Sequence, residues 1–159
     1  MKLPSSRIDL SNEARQAMAT LLNQALADTT DLYSQTKQAH WNVKGMEFFQ
    51  LHELYDKLAD VVFGYIDVIA ERVTAVGAVA QGTMRMAAEN SQLPEFPAGL
   101  GDGKEFTTQL AERYAQYAAS ARAGIDAATE AGDMDTADLF TDISRDADKA
   151  LWFLEAHLR

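Results

Sequence analysis

Apolar side chains recur along this chain in steps of three and four, the spacing of one face of an α-helix. A first run opens near Ser11, an N-cap residue type, and sets Leu22, Leu26, Thr29, Tyr33, Thr36 or Lys37, and His40 on one stripe. A second begins after Gly45 with Phe48, Leu51, Tyr55, Leu58, Val62, Tyr65, Ile69 and Val73. The third starts near Asp102 and carries Phe106, Leu110, Tyr114, Tyr117, Ala121, Ile125 and Ala128. A fourth, opened by Asp133 or Asp135, carries Leu139, Ile143, Ala147, Leu151, Leu154 and Leu158. No stretch alternates convincingly with the period of a strand. Four predicted helices of about 25 residues each make an all-α four-helix bundle.

The breakers support that division. Proline occurs only at Pro4, Pro94 and Pro97, and glycine gathers at Gly77, Gly82, Gly99, Gly101 and Gly103. Residues 77–102 therefore read as one long connection between the second and third helices, with room for a short helix over 83–90. Up-down-up-down bundles need only short loops, so a connection of this length implies one crossover along the bundle, the ferritin-like arrangement. Residues 1–159 then form one domain, preceded by a short tail over 1–10.

Composition narrows the chemistry. The 159 residues are 47% hydrophobic and 24% charged, a globular mixture. A domain of this size buries about 70% of its unfolded surface and needs no disulfide staple. Cysteine is absent, which removes thiol catalysis, Cys-ligated zinc and iron–sulfur clusters. Lys and Arg number 14 against 24 Asp and Glu, a net charge of −10. Affinity for nucleic acid comes mainly from cations neutralising phosphates. The N-terminal stretch offers only Lys2 and Arg7, and the C-terminal one Lys149 and Arg159. An acidic surface attracts metal cations instead. No apolar run reaches bilayer-spanning or secretory length, so the expected location is the cytoplasm.

Of three histidines, two lie close together: His40 ends the first apolar stripe and His52 sits in the first turns of the second helix. Asp56 follows His52 at i+4, so both project from one face. Two imidazoles and a carboxylate with open positions suit a divalent first-row metal such as iron(II). Asp67 and Glu71 form another i+4 pair further along the same helix, flanked by Ile66, Val68, Ile69 and Ala70. Eleven residues separate Asp56 from Asp67, close to three whole turns but about 16 Å of rise. One metal cannot touch both pairs within one chain. Either there are two weak sites, or an antiparallel copy of the helix brings the second pair across a two-fold axis. A di-iron bundle that builds its centre inside one chain uses Glu-x-x-His pairs, and none occurs here, which favours the shared arrangement.

The run His40-Trp41-Asn42-Val43-Lys44-Gly45, five residues, then Leu51-His52-Glu53-Leu54-Tyr55-Asp56 resembles the first motif of the Dps family, the DNA-binding proteins from starved cells. Ile66-Asp67-Val68-Ile69-Ala70-Glu71-Arg72 resembles the second, with Val76-Gly77 and Ala80 following; Val76 stands where Leu, Ile or Phe is usual. The likeness extends through Ser144-Arg145-Asp146 to Trp152-Phe153-Leu154-Glu155. It implies a hollow dodecamer of ferritin-like subunits, a ferroxidase that oxidises iron(II), preferably with hydrogen peroxide, and stores a ferric mineral. It further implies a site at a two-fold interface, with His40, His52 and Asp56 from one subunit and Asp67 and Glu71 from its partner. Trp41 beside His40 either packs against that site and quenches radicals or is a plain core aromatic.

In such cages the stretch holding Asp133, Asp138 and Asp142 lines a three-fold pore, whereas the plain reading is acids at a helix N-terminus. Glu47, Glu53 and Asp60 are candidate inner-wall oxygens for mineral nucleation, with solvated helix charge as the default. His157 reads as a cation at a helix C-terminus, and Met84 and Met86 as contact filler. The rival function is DNA compaction, with association to the nucleoid. DNA binding in these cages commonly relies on a Lys- or Arg-rich tail, and two tail cations predict little or none.

Overall fold

The computed structural model describes residues 3–159; Met1 and Lys2, the start of the predicted tail, lie outside the described residues. Five helices follow in order: α1 (Asn12–Asn42), α2 (Phe48–Ala75), α3 (Met84–Asn90), α4 (Gly103–Glu130) and α5 (Met134–Ala156). Among the described residues there is no strand. The all-α, ferritin-like bundle expected from the apolar period is the fold observed. No helix among them is long and apolar enough to cross a membrane.

Side-chain caps set most of the starts. Ser11, Thr83, Asp102 and Asp133 each accept a hydrogen bond from the backbone N–H three residues on. Asp133 rather than Asp135 opens the last long helix. α2 starts differently: Glu47 makes no side-chain cap, and Gly45 at φ +107° turns the chain so that the Phe48 N–H donates to the Gly45 carbonyl at 3.1 Å.

α1 pairs with α2, and α4 with α5, as hairpins closed by short loops, and the long connection carries α3 back against α1. Leu22, Leu26, Leu32, Leu51, Ile69, Leu110, Ile143 and Leu154 are fully buried between them. Each such side chain contributes about 1.5–3 kcal/mol by leaving water. Three core tyrosines carry a polar end inward and find a threonine: Tyr55 with Thr107 and Tyr117 with Thr29, both at 2.7 Å, and Tyr114 with Thr36 at 3.2 Å. Among the described residues every buried side-chain nitrogen and oxygen has a partner.

Buried polar side chains fasten the irregular segments. Arg15 donates through Nη2 to the Pro4 carbonyl at 2.9 Å and through Nε to the Val76 carbonyl at 2.8 Å, pinning the tail to the end of α2. Arg113 donates to the Glu95 carbonyl at 2.8 Å. Asp28 accepts from the Gln92 N–H at 2.7 Å and from Gln24 Nε2 at 3.2 Å, holding the crossover to α1. Gly124 lets α4 approach α5 closely: a Cβ there would lie 2.8 Å from the Phe140 ring.

Gly124→Ala should therefore lower stability by about 1–3 kcal/mol through overpacking, read as a drop in the denaturation midpoint with unchanged slope. Asp28 gives a pH signature. Its burial outweighs the hydrogen bonds that favour the carboxylate and raises its pKa above the ordinary 3.8. The folded chain thus holds this proton more tightly than the unfolded one, and ionisation above the folded pKa costs stability. The melting temperature of Asp28→Asn, relative to the parent, should rise as pH goes from acid to neutral; a constant or shrinking difference contradicts the assignment.

Candidate metal centre

α1 ends at Asn42 because Val43 turns extended, at φ −60° and ψ 144°, and Gly45 reverses the chain. That short turn lays the last turn of α1 beside the first turns of α2, so His40 and His52 meet. Their rings stack with centroids 3.7 Å apart. His40 Nδ1 lies 2.8 Å from the His52 carbonyl oxygen, and His52 Nδ1 lies 2.9 Å from the His40 carbonyl oxygen. A carbonyl only accepts, so each Nδ1 carries the proton and donates. Each Nε2 of the neutral ring is then left with its lone pair, the state a metal ligand requires.

Asp56 completes this group. Its Oδ1 lies 3.8 Å from His40 Nε2. Lys37, one turn before His40, donates from Nζ to the same oxygen at 2.5 Å. That ammonium is the main reason the Asp56 carboxyl is held below its usual range; partial desolvation opposes it, and His40 and His52 help less. The sequence places Lys37 on the apolar stripe as an alternative to Thr36, not as a site residue. Its place on the inward stripe, three residues before His40, is the signal that pointed to it.

Asp67 and Glu71 are not brought to this group. Both are exposed further along α2, as the helical rise requires. Among the described residues no set of three His, Asp or Glu side chains within one protomer is arranged to hold a metal ion. The surface around the acids is unusually apolar: Val61, Phe63 and Val68 on α2 are each 45% exposed or more. Trp41 is 66% exposed, so it is not a core aromatic of this protomer, and Lys37 Nζ sits 5.8 Å from its ring centroid. Phe48 packs near His52 with centroids 5.2 Å apart.

The residues expected at a pore divide. Asp133 is 2% exposed; it caps α5 and accepts from Arg72 Nη2 at 2.6 Å, so its carboxylate is committed inside the protomer. Asp142 is half-buried and paired with Arg145, while Asp138 is exposed. Glu47, Glu53 and Asp60 are all exposed. His157 caps the end of α5 as expected, with Nδ1 2.7 Å from the Phe153 carbonyl. Met84 is largely exposed and Met86 partly so.

Comparison with known proteins decides the family. The Ferritin family model, described as a ferritin-like domain, matches residues 19–159. A DNA protection during starvation protein of Agrobacterium fabrum is 41% identical over 159 residues, covering all of this chain and 98% of that protein. The chain belongs to the Dps family of ferritin-like proteins. The protein of the same name from Brevibacillus brevis is 32% identical over 94% of this chain and 99% of its own. DpsC from Streptomyces coelicolor superposes with a TM-score of 0.94 at 31% identity, over 99% of this chain and 92% of that one. A Dps protein from Vibrio cholerae O1, described as belonging to a broad superfamily of ferritin-like diiron-carboxylate proteins, superposes with a TM-score of 0.91 at 27% identity, covering 100% of this chain and 99% of that one.

Because the Lys37 ammonium stands against Asp56, a divalent cation arriving there must displace it. Lys37→Gln should raise the affinity of the assembled protein for iron(II) by about three- to tenfold, measured by anaerobic calorimetry. Unchanged affinity would reduce the contact to an ordinary surface ion pair.

Proposed function

We propose that this Dps-family protein oxidises iron(II) with hydrogen peroxide at a centre shared by two copies, and stores the ferric product inside a closed homo-oligomer, a dodecamer. The observation that carries this reading is the reciprocal histidine pair, each Nδ1 on the other residue's backbone carbonyl, with His40 Nε2 3.8 Å from Asp56. In this reading His40, His52 and Asp56 of one protomer face Asp67 and Glu71 of the next. Asp56 and Glu71 supply the charge for the tighter iron, and the imidazoles add neutral donors. The exposed apolar groups on α2 support a surface made to be covered, because such patches on a soluble chain mark contacts.

Two ferrous ions held together surrender two electrons to one peroxide: two Fe(II), one H2O2 and two protons give two Fe(III) and two waters. The O–O bond breaks with both electrons supplied at once, so no hydroxyl radical is released. The product mineral is consistent with a protective role, which is also what the names of the relatives describe for those proteins. Iron entry falls to Asp138 and Asp142, with Asp133 serving the fold.

DNA compaction is less well supported. The described part of the tail is tied down, with Leu3 buried and Pro4 held by Arg15, and the chain carries a net charge of −10.

Asp56→Ala and Glu71→Ala should each slow peroxide-dependent iron oxidation at least about a hundredfold, followed by stopped-flow absorbance on assembled protein. Parent rates in both variants would remove this centre from consideration.

A further inference from the structure

Polar side chains link α2 and α5 at two levels: Arg72 with the cap Asp133 and with Thr136, and Tyr65, whose hydroxyl donates to Asp146 at 2.6 Å. Beyond Tyr65, toward the start of α2, the small side chains Ala147 and Ala150 leave a slot of about 220 Å³ between the two helices. Leu54, Leu58, Ile143 and Phe153 line its walls, and Tyr114 and Tyr117 of α4 lie at its floor. Both floor hydroxyls are already spent on Thr36 and Thr29. The floor therefore offers its contents chiefly apolar contact.

The rim is different. Lys57 of α2 and Lys149 of α5 stand on opposite walls, and neither has an ion-pair partner among the described residues. Lys149 Nζ rests 5.9 Å from the Phe153 ring centroid. The one acid at the rim, Asp146, accepts the Tyr65 hydroxyl. Among the lining residues two ammoniums therefore stand against one carboxylate, which is itself hydrogen-bonded.

We propose that this slot binds a small amphiphilic carboxylate, its apolar body between α2 and α5 and its carboxylate between Lys57 and Lys149. The volume sets the size. An apolar protein cavity of about 150 Å³ takes up benzene, and drug-sized ligands occupy about 300 Å³ or more. A ligand between those limits is a medium-chain acyl or a single-ring aryl carboxylate. The floor and walls recognise the hydrocarbon, and the lysines exclude its neutral and cationic analogues.

The test is calorimetric titration of the assembled protein with octanoate, 3-phenylpropanoate, octanol and octylammonium. Saturable binding of either carboxylate, with the two analogues weaker by about tenfold or more, is the expected result. The better of the two acids tells an acyl from an aryl source. Lys57→Gln with Lys149→Gln should weaken the carboxylate by a similar factor without changing the melting temperature. Ala150→Leu, which fills the slot, should abolish binding. Failure of both acids to bind overturns the proposal, as does octanol binding as tightly as octanoate. Equal affinity in the double lysine variant also overturns it, whether or not Ala150→Leu folds.

Discussion

A straight helix cannot bring residue 56 to residue 67. The backbone hydrogen bonds that hold α2 together fix a rise of about 1.5 Å per residue, so its two acidic pairs share a face yet stay about 16 Å apart. The proposed shared centre follows from that rigidity. One pair gains two imidazoles because the turn at Gly45 folds the end of α1 onto the start of α2. The other pair is exposed, with the exposed Val68 between its members. A centre that uses both must draw them from different copies, and an isologous two-fold contact makes two such centres at once.

The histidine pair shows how secondary structure fixes the orientation of two imidazoles. Each ring donates to the other's backbone carbonyl, so the hairpin itself selects the tautomer. Lys37 adds the electrostatic half. Its ammonium neutralises Asp56 in the protomer, which keeps a lone carboxylate at an apolar surface from standing uncompensated. The same contact sets what an incoming cation has to replace.

Much of this was legible in the sequence, and what was not has physical causes. The 3.6-residue period and the proline and glycine breaks define the helices, because burial of one stripe is what a bundle demands. Ser11, Asp102 and Asp133 mark starts by a local hydrogen bond that the residue type announces. The i+4 spacing of His52 with Asp56, and of Asp67 with Glu71, follows from helix geometry alone. Lys37 was harder, since its partner lies nineteen residues away on another helix. Tyr55, Tyr114 and Tyr117 counted as apolar positions, yet each also carries a hydroxyl that only a facing threonine satisfies. Asp133 illustrates the converse: spacing alone groups it with Asp138 and Asp142, while Arg72, far off in the chain, turns it inward. Trp41 likewise sits beside a core histidine in sequence and outside the core in space.

The shared centre is tested most directly by mixing two defective chains. Asp56→Ala and Glu71→Ala subunits, unfolded and co-assembled in equal amounts, form hetero-pairs in which one of the two centres takes all its ligands from unaltered positions. Random pairing then restores about a quarter of the centres, so peroxide-dependent iron oxidation should return to about a quarter of the parent level although each variant alone is inactive. Mixed assemblies no more active than either variant alone would contradict a centre divided between two copies.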